Sequence, residues 1–225
     1  MDTALIYQTL AYLHIVLFAA WLGGDIGVFA LGQNFRKRHA YTLETRLVLL
    51  KLLVLVDMAP RTAWALMVPV SLSMTAAGGW ADLPAWLIMA SWAVGLGWLT
   101  LTWAAFMAGQ SPRARTLRRA EFYLTLVLGA GYGALALAGA AGVVAMPAWL
   151  AIKSGLFALI FAFAIMIDVA NRPVGPLLQR LIEEGSSPQT EDPLWAAMNR
   201  VRVWVLGLYG LLVAIGAVGA FKPQI

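Results

Sequence analysis

Apolar residues in this chain come in long unbroken runs, at about 4–32, 46–76, 84–108, 119–145, 148–171 and 200–220. Each run reaches the roughly 20 residues that carry an α-helix across the hydrocarbon of a bilayer. None shows the period-two alternation of a transmembrane β-strand, so helices are how these segments satisfy their backbone in lipid. Polar and turn-forming residues separate the runs, with Gly78-Gly79, Pro84, Ser111-Pro112, Pro147 and Arg172-Pro173 all falling between them. The pattern predicts an all-α membrane protein, a single helical domain of six transmembrane helices.

Composition strengthens this expectation. Of 225 residues, 61% are hydrophobic and 12% charged, where globular proteins average about half and about a quarter. Mean hydropathy is +0.78. A soluble fold of this length leaves too much surface to hide such a content. Soluble enzymes and secreted disulfide scaffolds are excluded. With no cysteine, thiolate metal sites, iron–sulfur clusters and redox disulfides are excluded too.

The charges predict orientation. Arg36, Lys37, Arg38, Arg46 and Lys51 follow the first run, Arg113, Arg115, Arg118 and Arg119 the third, and Arg172, Arg180, Arg200 and Arg202 the fifth. The connections at 78–84 and 145–147 carry no Lys or Arg. Basic loops stay in the cytoplasm, so both termini are expected outside it. The net charge of +5 is thus a topology signal, and with no separate basic domain no nucleic-acid partner is expected. The start, Met1-Asp2-Thr3-Ala4, lacks a positive leader and its apolar run is too long for a cleavable signal, so a permanent first span is expected. Residues 172–198 read as a cytoplasmic linker, amphipathic over Leu177–Glu184 as an interfacial helix and turn-rich over Gly185–Pro193. Small residues at Gly23 and Gly27, Gly129 and Gly133, and Gly207 to Gly219 point to close helix packing. Trp80, Trp86, Trp149 and Tyr123 fall near span ends as interfacial anchors.

Ionisable groups within a bilayer are costly and are candidate functional residues by default. Six within the runs are candidates on this ground: His14, Asp25, Asp57, Arg61, Lys153 and Asp168. Depth along the helices, at about 1.5 Å per residue, places His14 and Lys153 together in the outer half. Asp25, Asp57, Arg61 and Asp168 form an inner cluster, which Asn199 and Arg200 are expected to approach from the foot of the last span. Asp57 and Arg61 are four apart and able to pair, either as structural neutralisation or in a proton or anion role. His14 is either a ligand for haem iron, copper or zinc, or a hydrogen-bonded packing residue. The other histidine, His39, lies in the basic loop on the opposite side, which excludes bis-histidine haem within one chain. No phosphate-binding glycine loop and no Ser/His/Asp arrangement occurs, so ATP-driven transport and hydrolysis lack support.

Four motifs in order carry a resemblance: Leu13-His14-Ile15 with Trp21-Leu22-Gly23-Gly24, Met58-Ala59-Pro60, Trp149-Leu150-Ala151-Ile152-Lys153, and Met198-Asn199-Arg200 leading to Phe221-Lys222-Pro223. The chain resembles the membrane superfamily of the copper-resistance CopD proteins and the HemJ-type protoporphyrinogen oxidases. It departs at Asn199-Arg200-Val201-Arg202, where the HemJ type has Asn-Glu-x-Pro. The resemblance implies a four-helix core from spans one, two, five and six, with spans three and four as an inserted helical hairpin. It implies that His14 is the metal ligand of a b-type haem. Lys153 would be its catalytic companion, as second axial ligand, propionate partner or proton donor. Electrons would pass between a quinone or small reductant and a redox partner, in a multi-pass protein of a bacterial-type inner (plasma) membrane. Two alternatives remain: a CopD-like transporter of a metal ion or small solute, and a structural subunit of a membrane complex. Besides lipid, a second copy of the chain is a candidate partner.

Overall fold

The computed structural model describes residues 2–223, and every regular element among them is helical. In chain order these are α1 (Thr3–Phe35), α2 (Leu43–Val56), α3 (Met58–Ala77), α4 (Ala85–Met107), α5 (Pro112–Ala140), α6 (Ala148–Asn171), α7 (Val174–Glu184) and α8 (Pro188–Phe221). Local chemistry sets the starts. Asp2 caps α1 by accepting from the Ala4 N–H, Thr42 caps α2 through the Thr45 N–H, and Ser111 caps α5 through the Ala114 N–H. Ser187 and Thr190 form a reciprocal capping box on α8.

Five helical segments are long and apolar enough to cross a membrane: α1, α4, α5, the α6–α7 stretch Ala148–Glu184, and α8. This is a multi-pass, all-α membrane protein. The run expected at 46–76 is divided at Asp57 into α2 and α3. Pro60 is the physical reason, because its ring nitrogen has no hydrogen to donate to the Val56 carbonyl. The path still continues as a kinked helix. Asp57 N–H bonds Leu53 O at 2.9 Å and Arg61 N–H bonds Asp57 O at 3.3 Å.

The helices close into a bundle in which α1 packs on α2 and α3, α3 on α4, α4 on α5, α5 on α6 and α6 on α8. Phe18 of α1 sits against Gly216 of α8, which completes the ring. The core is aromatic, built on Trp21, Trp98, Phe157, Phe161 and Leu212, with Trp64 packed against them. The α4–α5 hairpin contributes to it directly, since Trp98 is only 2% exposed. The small residues act as notches: a Cβ at Gly129 would strike Phe161 and one at Gly207 would strike Phe163, whereas Gly23 and Gly210 face open space.

The basic end of the bundle differs from expectation. Residues 172–198 contain a helix where the amphipathic pattern lay, but it does not stand free of the bundle. The apolar face of α7 is already covered, with Val174, Leu177, Leu178 and Leu181 packed against Phe35, Leu43, Leu50 and Leu194 in a second small core. The stretch expected to be turn-rich contains the start of α8, which begins at Pro188 rather than near residue 200. Likewise α5 begins at Pro112 rather than near residue 119, so Arg113, Arg115, Arg118 and Arg119 ride on its first turns.

Candidate functional site

At the end of the bundle opposite the basic clusters, a cavity of about 440 Å³ opens between α1, α3, α6 and α8. Cavities of roughly 300–1,000 Å³ suit small ligands and cofactors. Its walls are mostly apolar and aromatic, with Trp21, Trp80, Trp149 and Phe157 among them, and Tyr132 of α5 joins them. His14 and Lys153 both line this cavity. The structure therefore brings together the two residues that depth alone placed in one half of the bundle. The His14 Nδ1 is buried and has no hydrogen-bond partner among the described residues, and the same holds for the Tyr132 hydroxyl. The Lys153 ammonium lies in space left by Gly219, where a Cβ would come within 2.7 Å of its Nζ.

Lys222, part of the Phe221-Lys222-Pro223 motif, is a wall residue of the cavity. Its Nζ stands 4.4 Å from the Trp80 ring centroid and 5.7 Å from that of Trp149, within the range of cation–π attraction. Tyr7, Trp80 and Lys222 also border a shallower outer recess, so they form the partition between cavity and exterior. Tyr7 and Trp80 meet edge to face at 5.5 Å.

The inner cluster assembles around Arg61. Its Nε donates to Asp57 Oδ2 at 2.5 Å, the pair expected from their spacing, with the two side chains 46% and 28% exposed. The carboxylates whose charges act on Arg61 are Asp57, Glu121 and Asp168, and those of Asp57 and Arg61 act on Asp25. Glu121 was missed in the sequence. It accepts from Thr102 Oγ1 at 2.6 Å and from the Trp98 indole at 3.4 Å. The Ser111-Pro112 helix start was the signal that could have found it, because it puts Glu121 more than two turns inside α5.

Asn199 and Arg200 are not brought to this cluster. Asn199 accepts from Arg36 Nη2 at 2.7 Å, and Arg200 is exposed without an ion pair among the described residues. His39 accepts from its neighbour Arg38, away from the cavity. Among the described residues no three His, Asp or Glu side chains converge on a common metal position.

A layer of aromatic rings in tilted and edge-to-face contact separates the cavity from the inner cluster. Trp21 lies 5.6 Å from Trp64, Trp64 4.8 Å from Trp98, and Tyr132 4.7 Å from Phe157, centroid to centroid. Trp21, Tyr132 and Phe157 face the cavity, and Trp98 meets Glu121 on the other side. The arrangement supplies a largely apolar chamber with one imidazole and two lysine side chains, separated from a charged cluster below. Compared with protein-family models, curated proteins and solved structures, the chain finds no match.

Proposed function

We propose that this chain is an integral membrane redox protein that binds b-type haem in the cavity, with His14 as iron ligand. It passes electrons between a quinone or small reductant and a partner. One observation carries this reading: an imidazole with a buried, unpartnered nitrogen shares about 440 Å³ of largely apolar space with the ammonium of Lys153. The donor set fits a haem, which needs a single protein nitrogen on its iron, unlike a zinc or copper site built from several side chains. Haem held there supplies one-electron chemistry, its potential tuned by exclusion of water. The chain's own part is to hold the iron through His14, to keep water out with Trp21, Trp80, Trp149 and Phe157, and to set Lys153 beside the ring.

The same reading assigns six crossings, with α2 and α3 together as the sixth, the basic end in the cytoplasm and both termini outside it. The host is an inner membrane of bacterial type. Purified with adequate haem supply, the protein should show a Soret band. His14→Ala should abolish it while leaving a folded, membrane-inserted protein, and Lys153→Ala should shift the spectrum or midpoint. Wild-type protein that takes up no haem would overturn the proposal.

A further inference from the structure

We infer that the mouth of the cavity is a carboxylate-binding subsite formed by Lys153 and Lys222, and that its ligand is an apolar ring system carrying acid groups on its outer edge. The inference rests on the haem reading for the identity of the ring, and on the cavity's own residues for the acid groups. It makes Lys153 the partner of a ligand carboxylate, such as a propionate, and not the second axial ligand.

The balance of charge is the first ground. The lining contains His14, Lys153 and Lys222 and no Asp or Glu among its described residues. Two ammonium groups on a largely apolar wall, with no carboxylate among the described lining residues, are unfavourable, and a bound anion relieves both desolvation and mutual repulsion.

Position is the second ground. Gly219 is the residue of α8 that admits the Lys153 side chain, one turn from the helix end where Lys222 sits. Lys222 has φ 42° and ψ 60° and is the one non-glycine residue with positive φ among those described. A left-handed residue closing a helix is usually glycine, since a Cβ there costs free energy. Lysine at this position turns its ammonium back over Trp80 and Trp149 at the partition between cavity and recess. An apolar acid entering body first would leave its carboxylates at that partition, between the two lysines. Charge-assisted hydrogen bonds are about twice as strong as neutral ones.

The test is a titration of the full-length protein in detergent, read by quenching of its tryptophans. The probes are iron-free protoporphyrin, which carries two carboxylates, and its dimethyl ester, which carries none. The free acid should bind about tenfold or more tightly than the ester, the magnitude of one charge-assisted bond. Lys153→Met and Lys222→Gly should each shrink that ratio, and Lys222→Gly does so without disturbing the left-handed cap. Lys153→Arg should preserve it. Equal binding of acid and ester by the wild type, binding of neither, or a ratio unchanged in both charge-removing variants would overturn the inference. The haem reading fails separately. A persisting acid-to-ester preference with no His14-dependent haem spectrum rejects the iron ligand alone. Identical His14-dependent spectra and affinities for haem and its dimethyl ester reject the subsite alone.

Discussion

Arg46 and Glu191, 145 positions apart in the chain, meet in a two-pronged salt bridge at 2.5 and 2.8 Å with both side chains out of reach of water. Arg46 also donates through Nε to the Phe35 carbonyl at 2.6 Å, which satisfies an acceptor at the end of α1. Ser186 donates to the same carboxylate at 2.7 Å. The contact therefore ties the end of α1, the start of α2 and the start of α8 into one unit. Removing either partner strands a buried charge, so Arg46→Ala or Glu191→Ala should each cost about 3–5 kcal/mol, while Arg46→Met with Glu191→Leu should cost far less. Thermal unfolding in detergent of the two single variants and the double variant checks the order.

Acid should loosen the same unit. Burial pushes the Glu191 carboxyl up, but the hydrogen bonds from Arg46 and Ser186 and the charge of Arg46 outweigh it and hold the group below the usual 4.5. Because the folded value is the lower one, the unfolded chain binds the proton more readily. The stabilisation is therefore complete above about 4.5 and is lost as pH falls through the folded value. Hydrogen-exchange protection in α7 and the first turns of α8, taken relative to the intrinsic amide rate at each pH, should fall on acidification in the wild type. The Met/Leu double variant should lack that response.

None of this could be read along the chain. Long apolar runs announce helices because lipid demands a satisfied backbone, so five spanning helices and their order were legible. Arg46 stands among other basic residues and passed for a topology charge, and Glu191 stood in an apparent linker. Their pairing depends on α8 beginning twelve residues early, which the capping box at Ser187 and Thr190 decides. That same early start fixes the phase of α8, and it turns Asn199 towards Arg36 rather than the inner cluster. His14 and Lys153 were legible together because depth in a span is simple arithmetic. Lys222 was not, since its role at the mouth comes from one left-handed residue.

Arg61 carries the balance of the inner cluster. The charges of Asp57, Glu121 and Asp168 all act on it, so its loss removes the cation whose charge these carboxylates share. Arg61→Ala should lower expression and thermal midpoint clearly more than Asp57→Ala does, and Asp57→Asn should partly rescue it. Comparable midpoints for Arg61→Ala alone and with Asp57→Asn would show that repulsion is not the cause.

Two glycines of α4 should respond oppositely to the same change. A Cβ at Gly95 would come within 2.8 Å of the Pro69 ring of α3, while one at Gly97 would meet nothing within 4 Å. Gly95→Ala should destabilise by about 1–3 kcal/mol through overpacking. Gly97→Ala should be neutral, or stabilising by about 0.5–1 kcal/mol because glycine weakens a helix. Unfolding midpoints of the two variants in one detergent give the comparison.

The sixth crossing can be tested by parity. If α2 and α3 together span the bilayer, two crossings separate the loop after α1 from the loop after α4, and these loops share a side. If they do not span, only α4 lies between, and the loops fall on opposite sides. The chain has no cysteine, so single cysteines at exposed Ala40, Asp82, Gln110 and Glu183 give unambiguous labelling with a membrane-impermeant thiol reagent. Six crossings with the basic end inside require Ala40→Cys, Gln110→Cys and Glu183→Cys to label only after the membrane is opened, and Asp82→Cys to label in intact cells. Opposite behaviour of the Ala40 and Gln110 positions would mean that the Pro60 kink turns α3 back within the bilayer. The orientation, and the placement of the cavity mouth outside the cytoplasm, would fall with it.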